Sequence, residues 1–157
     1  MNEIEIQKRL PKWLRKHFKD SDLLIEAEVS LKLGAETKQF RIDLIAVQSK
    51  SNVIHAFEIK SRLNITSLNS VMWQIDSLYG NYKWLVIPQE FKSMEIIKKL
   101  REKGLGLLIY IPSENTFKIE AQPNYIDGNL IKYYPSINEK WINKISHGSN
   151  FRSKKKN

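Results

Sequence analysis

Apolar residues recur at Ile6, Leu10, Trp13, Leu14 and Phe18, the spacing of one helical face over residues 4–18. Lys8, Lys12, Arg15, Lys16 and Lys19 share much of the opposite face. Pro11 interrupts this stretch, so either the helix kinks there or the main helix begins near it. The period then shortens. DLLIEAEVSLKL (22–33), KQFRIDLIAVQ (38–48) and VIHAFEIKS (53–61) read as three strands, parted by the turn-like GAET and SKSN. Connections that short predict antiparallel neighbours. Residues 65–82 read as a helix, with Thr66 or Ser67 as N-cap, and KWLVIP (83–88) as a buried strand. An amphipathic helix over 91–104 closes at Gly104. LGLLIYIP (105–112) is a fifth strand and TFKIEAQ (116–122) its partner, and a short helix is expected over 137–145. The predicted order is helix, three strands, helix, strand, helix, strand: an α/β fold, a mixed sheet flanked by helices. Trp13, Trp73 and Trp84 fall where core packing is expected.

The chain has 157 residues, enough for one domain with a real core. Residues 1–123 are expected to form that domain, and 124–157 a C-terminal extension ending in a flexible basic tail. No apolar run approaches the length of a membrane span, and the first residues do not resemble a signal peptide. The absence of cysteine excludes disulfides, Cys-ligated zinc, iron–sulfur clusters and thiol chemistry. A cytoplasmic protein with no membrane attachment is expected. The net charge of +9 sits at the two ends: six Lys/Arg against two Glu in residues 1–19, and four Lys/Arg in the tail FRSKKKN. Such a distribution suits a phosphate-rich partner, and equally a solvated helix face with a solubilising tail.

The charges that change the picture lie inside the strands. Alternation puts Ala56, Glu58 and Lys60 on one face of their strand, and Arg41, Asp43, Ile45 and Val47 on one face of theirs. If the strands are neighbours, Asp43 and Glu58 lie side by side and Lys60 projects one step further. Two adjacent carboxylates repel and are costly to bury; a divalent cation such as Mg²⁺ removes both penalties. The group then has the parts for metal-dependent phosphodiester hydrolysis. The bland alternative is an ion pair between Glu58 and Lys60. The three histidines are scattered, with no zinc spacing, and no nucleophile-elbow motif occurs.

RIDLIAV (41–47), HAFEIKS (55–61) and WQIDSLY (73–79) resemble the PD-(D/E)XK nuclease superfamily, close to its RecB-like and Holliday-junction-resolvase-like branches, over roughly residues 1–112. The resemblance implies a restriction-endonuclease-like αβββαβ core. It implies that Asp43, Glu58 and Lys60 are catalytic, with Mg²⁺ or Mn²⁺ held by Asp43, Glu58 and the backbone carbonyl of Ile59, and that Gln74 positions Lys60, water or substrate. Many members carry a glutamate on the first helix, where Glu5 is the best match, Glu3 a weaker one, and Glu28 on the first strand a further candidate. The tyrosine usually found four residues after the glutamine is Leu78 here, with Tyr79 one place on. The resemblance further implies DNA as partner, gripped by the basic helix and tail, and a homodimer. The rival function is a catalytically silent nuclease-fold module that binds nucleic acid or a partner protein, or an accessory subunit of a larger assembly. Repair, restriction and mobile-element defence all remain open as pathways.

Overall fold

The computed structural model describes residues 2–31 and 40–143. The expected GAET turn and lysine tail lie outside the described residues. Helix α1 (Glu3–His17) begins at a capping box. The Asn2 side chain accepts from the Glu5 N–H at 2.9 Å, and the Glu5 carboxylate accepts from the Asn2 N–H at 3.3 Å. The helix runs on through Pro11 instead of starting there. The proline forfeits one internal hydrogen bond. Ile6, Leu10 and Leu14, all buried, hold the turns on both sides of it against one surface.

The sheet has six strands in chain order: β1 (Leu24–Leu31), β2 (Phe40–Val47), β3 (Ile54–Ile59), β4 (Tyr82–Pro88), β5 (Gly106–Ile111) and β6 (Thr116–Ala121). The β1–β2 and β2–β3 pairs are antiparallel, as the short turns require, and so is β5–β6. The β3–β4 and β4–β5 pairs are parallel and need crossovers. Helix α2 (Ile65–Asp76) makes the first and α3 (Met94–Glu102) the second. The N-cap of α2 is Asn64, not Thr66 or Ser67; its side chain accepts from the Ser67 N–H at 2.9 Å. At the other end α2 stops six residues short of the expected boundary, where the Ser77 hydroxyl donates to the Trp73 carbonyl. Helix α3 closes as predicted: Gly104 has φ +69°, and the Leu105 N–H reaches back to the Leu100 carbonyl at 2.9 Å.

Each face of the sheet is covered. On one, Ile6, Leu10 and Leu14 of α1 pack on Leu44, Phe57, Ile59 and Val86. On the other, α2 and α3 bring Leu68, Met72, Ile75, Ile97 and Leu100 onto Leu85, Ile87 and Leu107. The remainder of that second face, over β2 and β3, is closed by the chain after β6. Ile131, Tyr134, Ile137 and Trp141 pack on Ile42, Ile45, Ile54 and Ala56. Helix begins there at residue 135, two before the expected 137, and continues through residue 143; residues 144–145 lie outside the described residues. Trp73 is not in the core: it is 67% exposed, because the buried stripe of α2 is Leu68, Val71, Met72 and Ile75 and leaves position 73 outside. Among the described residues, no helix is long and apolar enough to cross a membrane.

Candidate functional site

The sheet opens at Asp43. Between β1 and β2 the pairs Ala27↔Leu44 and Val29↔Ile42 flank an unpaired Glu28 facing Asp43, and Glu28 adopts φ +51°, a left-handed conformation that costs a non-glycine residue energy. Between β2 and β3 the pairing stops at Leu44↔Phe57. Side chains replace the missing ladder. Gln7 on α1 donates its amide to the Asp43 carbonyl, and the Asp43 carboxylate accepts from the Ile59 N–H at 2.7 Å. Asp43 is thereby fixed at both its backbone and its carboxylate.

Glu58 is buried at 3% exposure, one residue before the end of β3. Its Oε1 lies 3.3 Å from Lys60 Nζ, while Oε2 is buried with no hydrogen-bond partner. The Glu58 and Asp43 carboxyls are close enough to act on one another electrostatically. Burial, then the Asp43 charge, pushes the Glu58 carboxyl from 4.5 up to about 7, against the opposing pull of Lys60. Burial likewise raises Asp43, and the charge of Glu3 adds to it, opposed by the Ile59 hydrogen bond and Lys60. Protons at these two carboxyls belong to the pair.

Of the α1 acids, Glu3 reaches the site and Glu5 does not. Glu3 accepts from the Ser61 N–H at 3.4 Å, just past β3, and its charge acts on both Asp43 and Glu58. Glu5, three residues beyond the N-cap, is exposed and turned back onto Asn2. A cleft of about 50 Å³, room for an ion and very few waters, is lined by Glu3, Ile4, Gln7, Glu28, Asp43 and Ile59. Glu28 also pairs with Arg41 at 3.5 Å. Gln74 is half-buried on α2 and makes no hydrogen bond to Asp43, Glu58 or Lys60 among the described residues. Tyr79 stacks on Tyr133 and its carbonyl accepts from the Tyr134 hydroxyl, so it anchors the C-terminal segment. Gln7 was not singled out in the sequence, although it lies four residues from Glu3 and hence on the same helical face.

As a donor set, this arrangement fits a hard divalent cation. Asp43 and Glu58 supply carboxylate oxygens, and the unpartnered Oε2 is a buried acceptor that an ion would satisfy. Among the described residues, no three His, Asp or Glu side chains are grouped closely enough to hold a metal by themselves. An ion here would draw further ligands from backbone, water or a bound phosphate.

No protein-family model matches the chain, and neither does any curated protein. Solved structures do match. An XisH family protein from Nostoc punctiforme PCC 73102 superposes with a TM-score of 0.51 at 15% identity, over 76% of this chain and 98% of that one. An FdxN element excision controlling factor protein from Anabaena variabilis superposes with a TM-score of 0.50 at 14% identity, over 76% and 99%. At such identity the likeness speaks for the fold alone: a restriction-endonuclease-like α/β arrangement, a mixed six-stranded sheet between helices.

Proposed function

We propose that this protein is a metal-dependent nuclease that hydrolyses phosphodiester bonds in DNA. The observation that carries the reading is the Asp43–Glu58 pair, two neighbouring carboxyls both raised by burial, with Lys60 Nζ 3.3 Å from Glu58. Burying two such acids side by side is costly, and a bound divalent cation would offset that cost. Asp43, Glu58 and the Ile59 carbonyl would hold Mg²⁺ or Mn²⁺, which supplies charge neutralisation and Lewis-acid polarisation of a phosphoryl oxygen. Lys60, three-quarters buried, would orient the attacking water or donate to a phosphate oxygen. Glu3, tied to the Ser61 N–H, would take the place expected of Glu5. Gln74, free of Lys60, is left to contact substrate. Lys8, Lys12, Arg15 and Lys16 on the exposed side of α1 would meet the backbone phosphates without reading sequence.

The test is cleavage of supercoiled, linear and branched DNA with Mg²⁺ or Mn²⁺. Asp43→Ala and Lys60→Ala should lose cleavage with unchanged circular dichroism; wild-type rates in either would defeat the assignment. A second reading is favoured by the lack, among the described residues, of a third grouped acid, and by the Lys60 ammonium already paired with Glu58. On it the protein grips DNA without cutting, in the manner of a controlling factor, as the Anabaena neighbour is described. Calorimetric binding of Mg²⁺ that disappears in Asp43→Ala would speak against this alternative.

A further inference from the structure

Near the start of β3, beneath the C-terminal end of α1, lies a cavity of about 270 Å³. Phe18, His55, Tyr82 and Trp84 form its walls, and Gln48 and Gln122 reach into its lining. The rings are ordered. His55 stacks on Tyr82 at 4.9 Å and 17°, Phe18 leans on His55 at 4.6 Å, and His17 meets Phe18 edge-on at 5.0 Å. A cluster of rings this size ordinarily closes on itself, since protein interiors leave few voids wider than a water. Here the rings line a cleft that is half-open to solvent.

The polar groups are set with equal definition. The Trp84 Nε1–H donates to His55 Nδ1 at 3.2 Å, so the imidazole proton sits on Nε2 and points at Gln48 Oε1, 3.2 Å away. Burial, with the His17 charge adding to it, holds His55 down at about 4, so the ring stays neutral. With its oxygen engaged by His55, Gln48 has its NH₂ left over; neither that group nor the Gln122 amide has a hydrogen-bond partner among the described residues. Asp20 accepts from the Ser49 N–H at 2.8 Å, bringing the loop after α1 to the β2–β3 turn. The lining residues His17 and Phe18 are flanked in sequence by exposed Lys16 and Lys19, and Asp20 and Asp22 follow.

Aromatic rings, uncommitted amides and lysines adjacent in sequence to the lining are groups that suit a planar heterocycle attached to a phosphate. The volume falls just under the roughly 300 Å³ at which sites for drug-sized ligands begin, which suits one ring system. We propose that this cavity binds a nucleobase, stacked on the Phe18–His55–Tyr82 cluster and hydrogen-bonded by Gln48 and Gln122, with its phosphate toward Lys16 and Lys19. The proposal stands apart from the nuclease reading. The base can come from a free nucleotide or from an unpaired position in a strand.

Tryptophan fluorescence separates these sources, because Trp84 is part of the wall. The full chain is titrated in EDTA, which silences any metal-dependent cleavage, with the four nucleoside monophosphates and with a short single-stranded oligonucleotide. Saturable quenching by a monophosphate assigns the site to free nucleotide; quenching by the oligonucleotide alone assigns it to a strand. Phe18→Ala and Gln122→Leu should each weaken binding about tenfold, as loss of one stacking or hydrogen-bonding partner does. Gln122 is exposed, so its variant folds even if Phe18→Ala does not. No quenching by any of these at millimolar concentration, or undiminished binding by Gln122→Leu, overturns the proposal.

Discussion

Glu58→Gln turns the cost of the paired acids into a measurable stability. The substitution keeps the side chain's shape and fixes it in a neutral form. In the wild type, burial and Asp43 move the Glu58 carboxyl from 4.5 to about 7. At 1.36 kcal/mol per pH unit, that displacement is worth about 3 kcal/mol. The sign follows from linkage. A carboxyl raised in the folded state favours folding while it is protonated, and that advantage is lost as pH rises from 4.5 through 7. Wild-type stability should therefore fall across this window and level off above it. The glutamine variant lacks this component, so it should match the wild type near pH 4.5 and exceed it by about 3 kcal/mol at pH 8. Urea denaturation at the two pH values reads the difference directly, and for a chain of this size the melting temperature should rise by roughly 6–12 °C at pH 8. The same variant should lose any Mg²⁺ binding. Equal stability at pH 8, or an equal gain at both pH values, would refute the reasoning.

Lys60→Met removes the cation that opposes these effects and should push the Glu58 carboxyl above about 7, read by ¹³C NMR titration of side-chain carboxyls. Ile137→Ala empties a fully buried position where the C-terminal segment meets the sheet, and should cost about 2–5 kcal/mol by urea denaturation. Trp73→Ser, at an exposed site, should change stability by no more than about 0.5 kcal/mol in the same assay.

The strand assignments were legible because β1 to β3 alternate and are joined by short turns, and because β4 and β5 are apolar runs parted by amphipathic helices. The proximity of Asp43 to Glu58 followed from the same alternation. The choice between Glu3 and Glu5 did not, since it depends on a capping box at Asn2, and Pro11 left open whether the helix began near residue 4 or near residue 11. Trp73 misled because a large aromatic was weighed by its type instead of its phase, while the stripe at 68, 71, 72 and 75 already excluded it. The covering of β2 and β3 by Tyr134 and Ile137 had no local signature, as it joins segments some ninety residues apart in a stretch with weak periodicity.

The first two turns of α1 hold ties to the chain below, Glu3 to Ser61 just past β3 and Gln7 to Asp43 on β2. End turns are where helices fray first. Unwinding there would release the acidic cluster while Leu10 and Leu14 kept the helix seated on the sheet. The placement of Asp43 and Ser61 against α1 thus depends on the start of that helix, which the capping box at Asn2 and the buried Ile6 hold down.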